Sequence, residues 1–339
     1  MKRLFFLIIF CSQAFAFSFC NAQAGEWVWL HGSASPYSNG NAGIKGVSNP
    51  TNEPPALYEP CEWTDLNGNF WMFGGISQVG FVHDNLWKYD PIANQWTWVA
   101  GTNTLNSPGN YGIKGIPSAA NNPSARGYAS ASWTDLNGNL WMFGGNDGSK
   151  FLSDLWKYDL VSNEWTWING PNTGNAPGNY GLRGVPDTAN YPPCREECST
   201  AWTDNAGDLW LFGGLGYAGY NDLWRYNIAT NSWTWMNGSS LGNQIGIYGT
   251  KGVEDSANVP SYHDAHCRWK DNNGNLWFYG GSNGFNYNVY DDLWRYNIAT
   301  GRWTWMSGDS TLNIQGIYGS KCVASQADKP GERFENRAA

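Results

Sequence analysis

Three groups of side chains in this sequence have types and spacings suited to chemistry. The first is imidazole and thiol. Only four histidines occur in 339 residues, and two of them, His263 and His266, stand three apart beside Asp264 and Cys267. These are metal-ligand types, so His263 and His266 are candidate ligands, and His83 is a third if the first and last repeats meet. Against this, positions three apart in an extended strand point to opposite faces, which makes a shared metal awkward. The second group is aromatic: Phe81, Phe151, Tyr217, Tyr220, Phe285, Tyr287 and Tyr290, all in stretches rich in Gly and Asn. A sugar stacks its C–H face on such rings and needs fixed polar partners for its hydroxyls. The third group is cationic: Lys45, Lys114, Arg183, Lys251 and Lys321, each in a recurring Gly-x-Lys/Arg setting.

Other chemistries leave weaker traces. Arg126, Arg195 and Asp264 are polar residues able to take part in acid–base work, but nothing in their spacing marks them out. Asp135-Leu136-Asn137-Gly138-Asn139 resembles a calcium loop yet lacks the downstream glutamate, and a hairpin turn explains it better. There is no phosphate-cradling loop before a helix and no Gly-x-Ser-x-Gly elbow, and no cofactor is implied. Asn237-Gly238-Ser239 is an N-glycosylation sequon, meaningful only in a eukaryotic secretory route. Cys194 and Cys198 are close enough for a local disulfide, and Cys61 and Cys267 occupy equivalent repeat positions that a closed ring would bring near each other. Cys322 is then left over, and spacing does not fix connectivity.

The elements that must position these residues come from a repeat. A Trp opens each copy at Trp63, Trp133, Trp202 and Trp269, 67 to 70 residues apart. A diglycine follows at Gly74-Gly75, Gly144-Gly145, Gly213-Gly214 and Gly280-Gly281. A Trp-Thr-Trp closes each copy at Trp96/Trp98, Trp165/Trp167, Trp233/Trp235 and Trp303/Trp305. All 22 tryptophans fall in this register, five per copy plus Trp27 and Trp29. They are therefore core builders first. Four strands are expected per copy. Strand a runs as Arg126 to Thr134, an Asn-Gly turn leads to strand b (Leu140 to Phe143), strand c is Asp154 to Asp159, and strand d is Trp165 to Ile168. No segment shows a helical period over two turns.

Each copy has a diglycine, then a Tyr, then a Trp seven residues further on: Tyr89/Trp96, Tyr158/Trp165, Tyr226/Trp233 and Tyr296/Trp303. On these residues, and on the Arg that opens strand a (Arg126, Arg195, Arg333, with Ala56 and Tyr262 in the other copies), residues 26–339 resemble the kelch-repeat family. The resemblance implies an all-β propeller of four-stranded blades with strand a lining a central channel. Blades are expected at about 56–100, 125–170, 194–238 and 261–308. It also implies a binding or interaction module, with a galactose-oxidase-like copper oxidase or a sugar mutarotase as the enzymatic alternatives. The reading leans away from an enzyme.

Two departures qualify the resemblance. Kelch repeats run to about 50 residues, and the excess here is an insert between strand d and the next strand a, Tyr111-Gly112-Ile113-Lys114-Gly115 in one copy. The second departure is at the ends. Trp27-Val28-Trp29 matches a strand d, and Pro330-Gly331-Glu332-Arg333 matches the start of a strand a. A fifth blade with only those two strands means either a truncated form of a longer propeller, the reading favoured here, or four blades that close by themselves with both ends packed outside. Because strands alternate direction, the b–c and d–a connections share a face. Phe81, Phe151, Tyr217, Tyr220, Phe285, Tyr287 and Tyr290 are therefore expected on that face, with Lys45, Lys114, Arg183, Lys251 and Lys321 in a ring of cations around the axis. Alternatively the insert covers the Trp-rich edge of the next blade, with its cation lying over apolar surface.

Bulk properties narrow the partners. The formal net charge is −8 with only 14% charged residues, against a nucleic-acid binder driven by phosphate attraction. Lys2-Arg3, an apolar run to about Phe19 and Ala22-Gln23-Ala24 read as a signal peptide over 1–24, too short and interrupted for a transmembrane segment. The expected protein is a secreted, periplasmic or cell-surface propeller whose partner is a carbohydrate or protein ligand.

Overall fold

A computed structural model of the chain describes residues 27–78, 81–197, 200–284 and 288–334. The signal peptide, Cys198, Phe285 and Tyr287 lie outside the described residues. The chain divides into two units, 1–31 and 32–339. In the first, Trp27 and Trp29 are exposed and the Trp29 indole donates to the His31 carbonyl (2.9 Å). The expected strand at Trp27-Val28-Trp29 is absent: residues 27–31 are irregular.

The second unit holds four antiparallel sheets of four strands each. Blade 1 comprises β1 (Cys61–Thr64), β2 (Phe70–Phe73), β5 (Leu86–Asp90) and β6 (Gln95–Ala100), with a small hairpin of β3 (Ile76–Gln78) and β4 (Phe81–Val82) in its b–c loop. Blade 2 comprises β7 (Ala131–Thr134), β8 (Leu140–Phe143), β9 (Leu155–Asp159) and β10 (Glu164–Asn169). Blade 3 comprises β11 (Thr200–Thr203), β12 (Leu209–Phe212), β13 (Leu223–Asn227) and β14 (Ser232–Asn237). Blade 4 comprises β15 (Cys267–Lys270), β16 (Leu276–Tyr279), β17 (Leu293–Asn297) and β18 (Arg302–Ser307). In each blade the order is a, b, c, d, as expected for kelch blades.

Strand a is shorter than its sequence suggested. The residues before it adopt left-handed backbone at Glu59, Tyr128, Ala129, Glu197 and Ala265, which breaks the extended run between Arg126 and Ala131. This turn also shifts the repeat alignment. The carbonyl of Arg126, Arg195 and His263 accepts from Gly75, Gly145 and Gly214 of the preceding blade (2.8 Å each). His263, not Tyr262, therefore stands at the arginine position. Counting five residues from the equivalent asparagines, Asn52 and Asn121, puts Leu57 rather than Ala56 there in blade 1. The diglycines owe their identity to this contact. A Cβ on Gly74 would lie 2.2 Å from the Arg126 carbonyl oxygen, and one on Gly213 2.5 Å from that of His263, while both glycines have positive φ.

Blades pack face to face through apolar side chains. Trp63, Trp71, Phe73 and Leu86 of blade 1 meet Leu140, Met142, Trp156 and Trp165 of blade 2, and equivalent clusters join blades 2–3 and 3–4. Beneath them lies a buried polar triad. The Asp154 carboxylate receives two hydrogen bonds from Arg126 (2.8 and 2.9 Å), one from the Tyr111 hydroxyl (2.6 Å) and one from the Trp156 indole (2.7 Å). Asp222 repeats this with Arg195, Tyr180 and Trp224, and Asp292 with His263, Tyr248 and Trp294. Blade 1 carries Asn85, Leu57 and Ala42 at the same positions, so the acid, the base and the phenol are lost together. A buried charge without its partner is costly, which explains why the three change as a set.

Asp222→Asn leaves Arg195 buried without a counter-charge and should cost about 3–5 kcal/mol of stability. The triple variant Tyr180→Ala, Asp222→Asn, Arg195→Leu, which copies the blade 1 residues, should recover part of that loss. Denaturant titration of both variants measures the difference.

Candidate functional site

The repeated residues are consumed inside the fold. Lys114 donates to the Gly170 carbonyl (2.7 Å) and lies 4.4 Å over the Trp167 ring; Lys251 does the same with Gly308 and Trp305. Lys45 bonds to Gly101 over Trp98, and Arg183 donates to the Met236 carbonyl near Trp235. The insert therefore lies along strand d of the following blade, where Gly115 and Asn121 donate to the Trp167 and Trp165 carbonyls. It covers an outer strand whose edge would otherwise be unpaired. The expected ring of cations around the axis is corrected accordingly: Lys114, Arg183 and Lys251 sit at the periphery, against strand d.

Each Asp of the Asn-Gly hairpins is similarly occupied. Asp135 accepts from the backbone of Asn137 and Asn139, from the Asn139 amide and from the Trp141 indole. The calcium-like run is a turn.

The histidines come together, contrary to the alternation argument. Left-handed backbone at Ala265 turns His266 back, and the two imidazoles stack with centroids 5.4 Å apart. Both are buried. His263 Nδ1 is 2.7 Å from the Ser261 carbonyl and Nε2 is 3.1 Å from Asp292, while His266 Nδ1 is 2.6 Å from the Thr200 hydroxyl. Burial, then the charges of His263 and Arg268, hold His266 well below the usual imidazole range. His263 thus performs the structural role of Arg126 and Arg195, and no group of three or more metal-ligating side chains occurs among the described residues. Arg126 and Arg195 are fully buried in their triads and do not reach the channel mouth as acid–base groups.

The thiols also diverge. Cys61 packs into the junction between blades 1 and 2, with its sulfur 3.8 Å from the Ser130 carbonyl. Cys267 is half-buried at the start of β15, and both Cys61 and Cys267 are free thiols, so the expected pair does not form. Cys194 is a buried free thiol, raised by burial to about 11.

The b–c and d–a connections do share a face. In every blade an asparagine of the d–a connection exchanges two hydrogen bonds with the b–c loop: Asn106 with Val82, Asn175 with Phe151, Asn243 with Gly219 and Asn313 with Val289. Of the expected aromatics on this face, Phe81 and Tyr217 are exposed, and Phe151 meets Tyr217 edge-on at 5.3 Å. Tyr220 and Tyr290 are instead buried. Tyr220 covers the Arg195 guanidinium at 4.4 Å, and Tyr290 packs on the His263 ring at 3.9 Å.

At the centre of this face the left-handed turns form a backbone ladder. Ala129 donates to the Glu59 carbonyl, Glu197 to Tyr128 and Ala265 to Glu197. The ladder gathers Glu59, Tyr128, Glu196, Glu197 and Asp264 at the channel mouth, residues that sequence spacing had not grouped. Their signal was positional: each follows Leu57, Arg126, Arg195 or His263 within two residues, in a turn of unrecognised geometry. Glu196 accepts from the Asn146 amide (2.8 Å). Burial, together with the Glu59 and Asp264 carboxylates and against that amide, pushes Glu196 up to about 7. Below the mouth, a cavity of about 560 Å³ runs along strands a of blades 1 to 3 and reaches Arg268 of blade 4.

Known proteins share this blade pattern. The KLHDC2/KLHL20/DRC7 Kelch-repeats domain matches residues 112–328, well over half of the chain. This chain belongs to the kelch-repeat family. The kelch chain also matches human multiple epidermal growth factor-like domains protein 8, at 24% identity over 203 residues, 59% of this chain and 6% of that protein. It thus spans only a small part of that relative's length. As a kelch-repeat domain it is of a kind that serves as a protein-interaction module.

Glu196 keeps its proton in the folded chain to about pH 7 but loses it near 4.5 when unfolded. The stability this difference contributes is present below the unfolded value and is lost as pH rises through the folded one. Glu196→Gln should therefore flatten the stability profile between about pH 4.5 and 7 and gain roughly 2–3 kcal/mol at pH 8 relative to the parent. Thermal melts across that range test it.

Proposed function

We propose that this kelch chain is an exported recognition module that binds a protein segment bearing a lysine or arginine at the channel mouth. Its export rests on the charged, apolar and small-residue succession over 1–24. The observation that carries the binding site is the gathering of Glu59, Glu196, Glu197 and Asp264 beside Tyr128 on the face where the blades differ. Repeated side chains are spent on the scaffold, so specificity belongs to these blade-specific ones. Carboxylates gathered on one surface give it a negative potential that a basic side chain complements. Tyr128 supplies a ring next to the carboxylates, suited to the stem or face of a basic side chain.

A carbohydrate ligand is the second reading, favoured by the exposed Tyr217 and the half-buried Phe151 edge-on to it, which offer a stacking surface on the same face.

Calorimetric titration with Lys- and Arg-containing peptides, neutral peptides and a glycan panel separates the two. Basic peptides should bind, and Glu197→Gln should weaken them about tenfold. Binding of glycans alone, abolished by Tyr217→Ala, establishes the second reading. Peptide binding indifferent to Glu197→Gln and to salt overturns the first.

A further inference from the structure

Blade 2 carries a cavity of about 450 Å³, apart from the one along strands a. Three segments wall it: the connection that enters the blade (Asn106 to Pro108), its b–c loop (Asp147 to Lys150) and the connection that leaves it (Asn172 to Gly174). The volume falls within the roughly 300–1,000 Å³ of small-molecule sites. None of the carboxylates of the acidic mouth lines it.

The repeat shows what opens this space. Leu152 lines the cavity and stands two residues before Asp154, where blades 3 and 4 place Tyr220 and Tyr290. Those rings lie over the buried base, 4.4 Å from the Arg195 guanidinium and 3.9 Å from the His263 ring. Leucine is smaller and leaves the volume beside Tyr111 and Ser124 unfilled.

A cation has been given room at its wall. Gly174 does not have positive φ, so its backbone does not by itself require glycine. A Cβ there would nevertheless lie 2.4 Å from the Cβ of Lys150 and 2.7 Å from its Cδ. Blades 1 and 4 have Leu105 and Leu312 at this position, which leave no such seat for a lysine stem. In blade 3 the gap beside Gly242 holds Ala218, which brings no polar group. The loop that carries Lys150 is fixed by Asp147. Its Oδ1 accepts from the N–H and hydroxyl of Ser149 (2.9 and 2.8 Å) and from the Lys150 N–H (2.8 Å).

Several polar groups of the lining are left over. Among the described residues, Lys150 Nζ and Asp147 Oδ2 have no hydrogen-bond or ion-pair partner and do not pair with each other. The Asn106 amide nitrogen is also unused, whereas that of Asn313, its counterpart in blade 4, donates to Asn288 (3.0 Å). One ammonium and one carboxylate give the lining no net charge, so it does not select an ion as such. They do give it an acceptor and donors held in place, beside a small apolar patch from Pro108 and Leu152. Sugar hydroxyls, each both donor and acceptor, match that set, and a sugar C–H face matches the patch.

We propose that this cavity binds one saccharide unit of hexose size. The Asp147 carboxylate accepts from its hydroxyls, Lys150 and Asn106 donate to its oxygens, and its C–H face rests on Pro108 and Leu152. The site needs neither the acidic mouth nor the Phe151 and Tyr217 surface, so it stands or falls apart from both readings of the function given above.

Saturation-transfer NMR of the full chain with the methyl glycosides of glucose, galactose, mannose and N-acetylglucosamine tests it. At least one glycoside should bind, and Lys150→Ala and Asp147→Asn should each weaken it about tenfold or more. Gly174→Leu, which copies blades 1 and 4, should displace the lysine and abolish the signal. Circular dichroism reports whether that variant folds; if it does not, the two loop substitutions decide. Binding that survives both loop substitutions but is lost in Tyr217→Ala puts the sugar on the other surface and overturns the proposal while sparing the carbohydrate reading. Absence of signal from all four glycosides overturns the proposal and leaves peptide binding at the mouth to its own titration.

Discussion

The buried aspartate at the head of strand c holds this propeller in register. It accepts from the indole of its own strand, from the tyrosine of the insert and from the arginine or histidine that precedes strand a. One carboxylate thus ties together three segments that sequence separates by 28 to 43 residues. For Asp154, burial alone would raise the carboxyl, but the Arg126 charge and the donated hydrogen bonds outweigh it and hold it low. The ion pair is also why substitution at one member demands substitution at the others. Blade 1 shows the neutral solution and blade 4 the imidazole one.

The inserts, which make each repeat longer than an ordinary kelch unit, follow from the same constraint. A tyrosine that reaches the buried aspartate must arrive from outside the sheet. The chain on either side of it then lies along the outermost strand, pairing Gly115 with Trp167 and setting Lys114 over that ring. The recurrence of Lys or Arg is a property of edge protection rather than of ligand chemistry. Differences between blades fall elsewhere, in the b–c loops and in the left-handed turns before strand a. Those turns carry the carboxylates at the mouth, which is why a site can be built there without disturbing the repeat.

Legibility in the sequence was uneven for a physical reason. Strands b and d, the Asn-Gly hairpins and the diglycines were readable because each has a local signature: alternation, a turn dipeptide, a close backbone approach. The start of strand a was not, because left-handed Tyr128, Ala129 and Ala265 carry no glycine to announce the turn. That single omission displaced the arginine alignment to Ala56 and Tyr262, and it set His263 and His266 on opposite faces when their rings in fact stack. Tyr220 and Tyr290 were read as surface residues because loop position alone does not say which ring lies over a buried base.

By itself the sequence determined the blade and its repetition, since five tryptophans per copy in fixed register can be buried only by stacking like units face to face. It also placed aromatic residues that differ between copies in the b–c loops, whereas the turns before strand a emerged only with the tertiary structure. The tertiary structure alone decided which charged groups lie along the outer strands and which gather at the mouth. Lys114 and Glu196 are both charged-type residues near glycine-rich turns, and only the path of the chain separates them. One is led outward onto a tryptophan of the next blade, the other inward beside two more carboxylates. That separation depends on contacts between residues a whole blade apart, which no local pattern encodes.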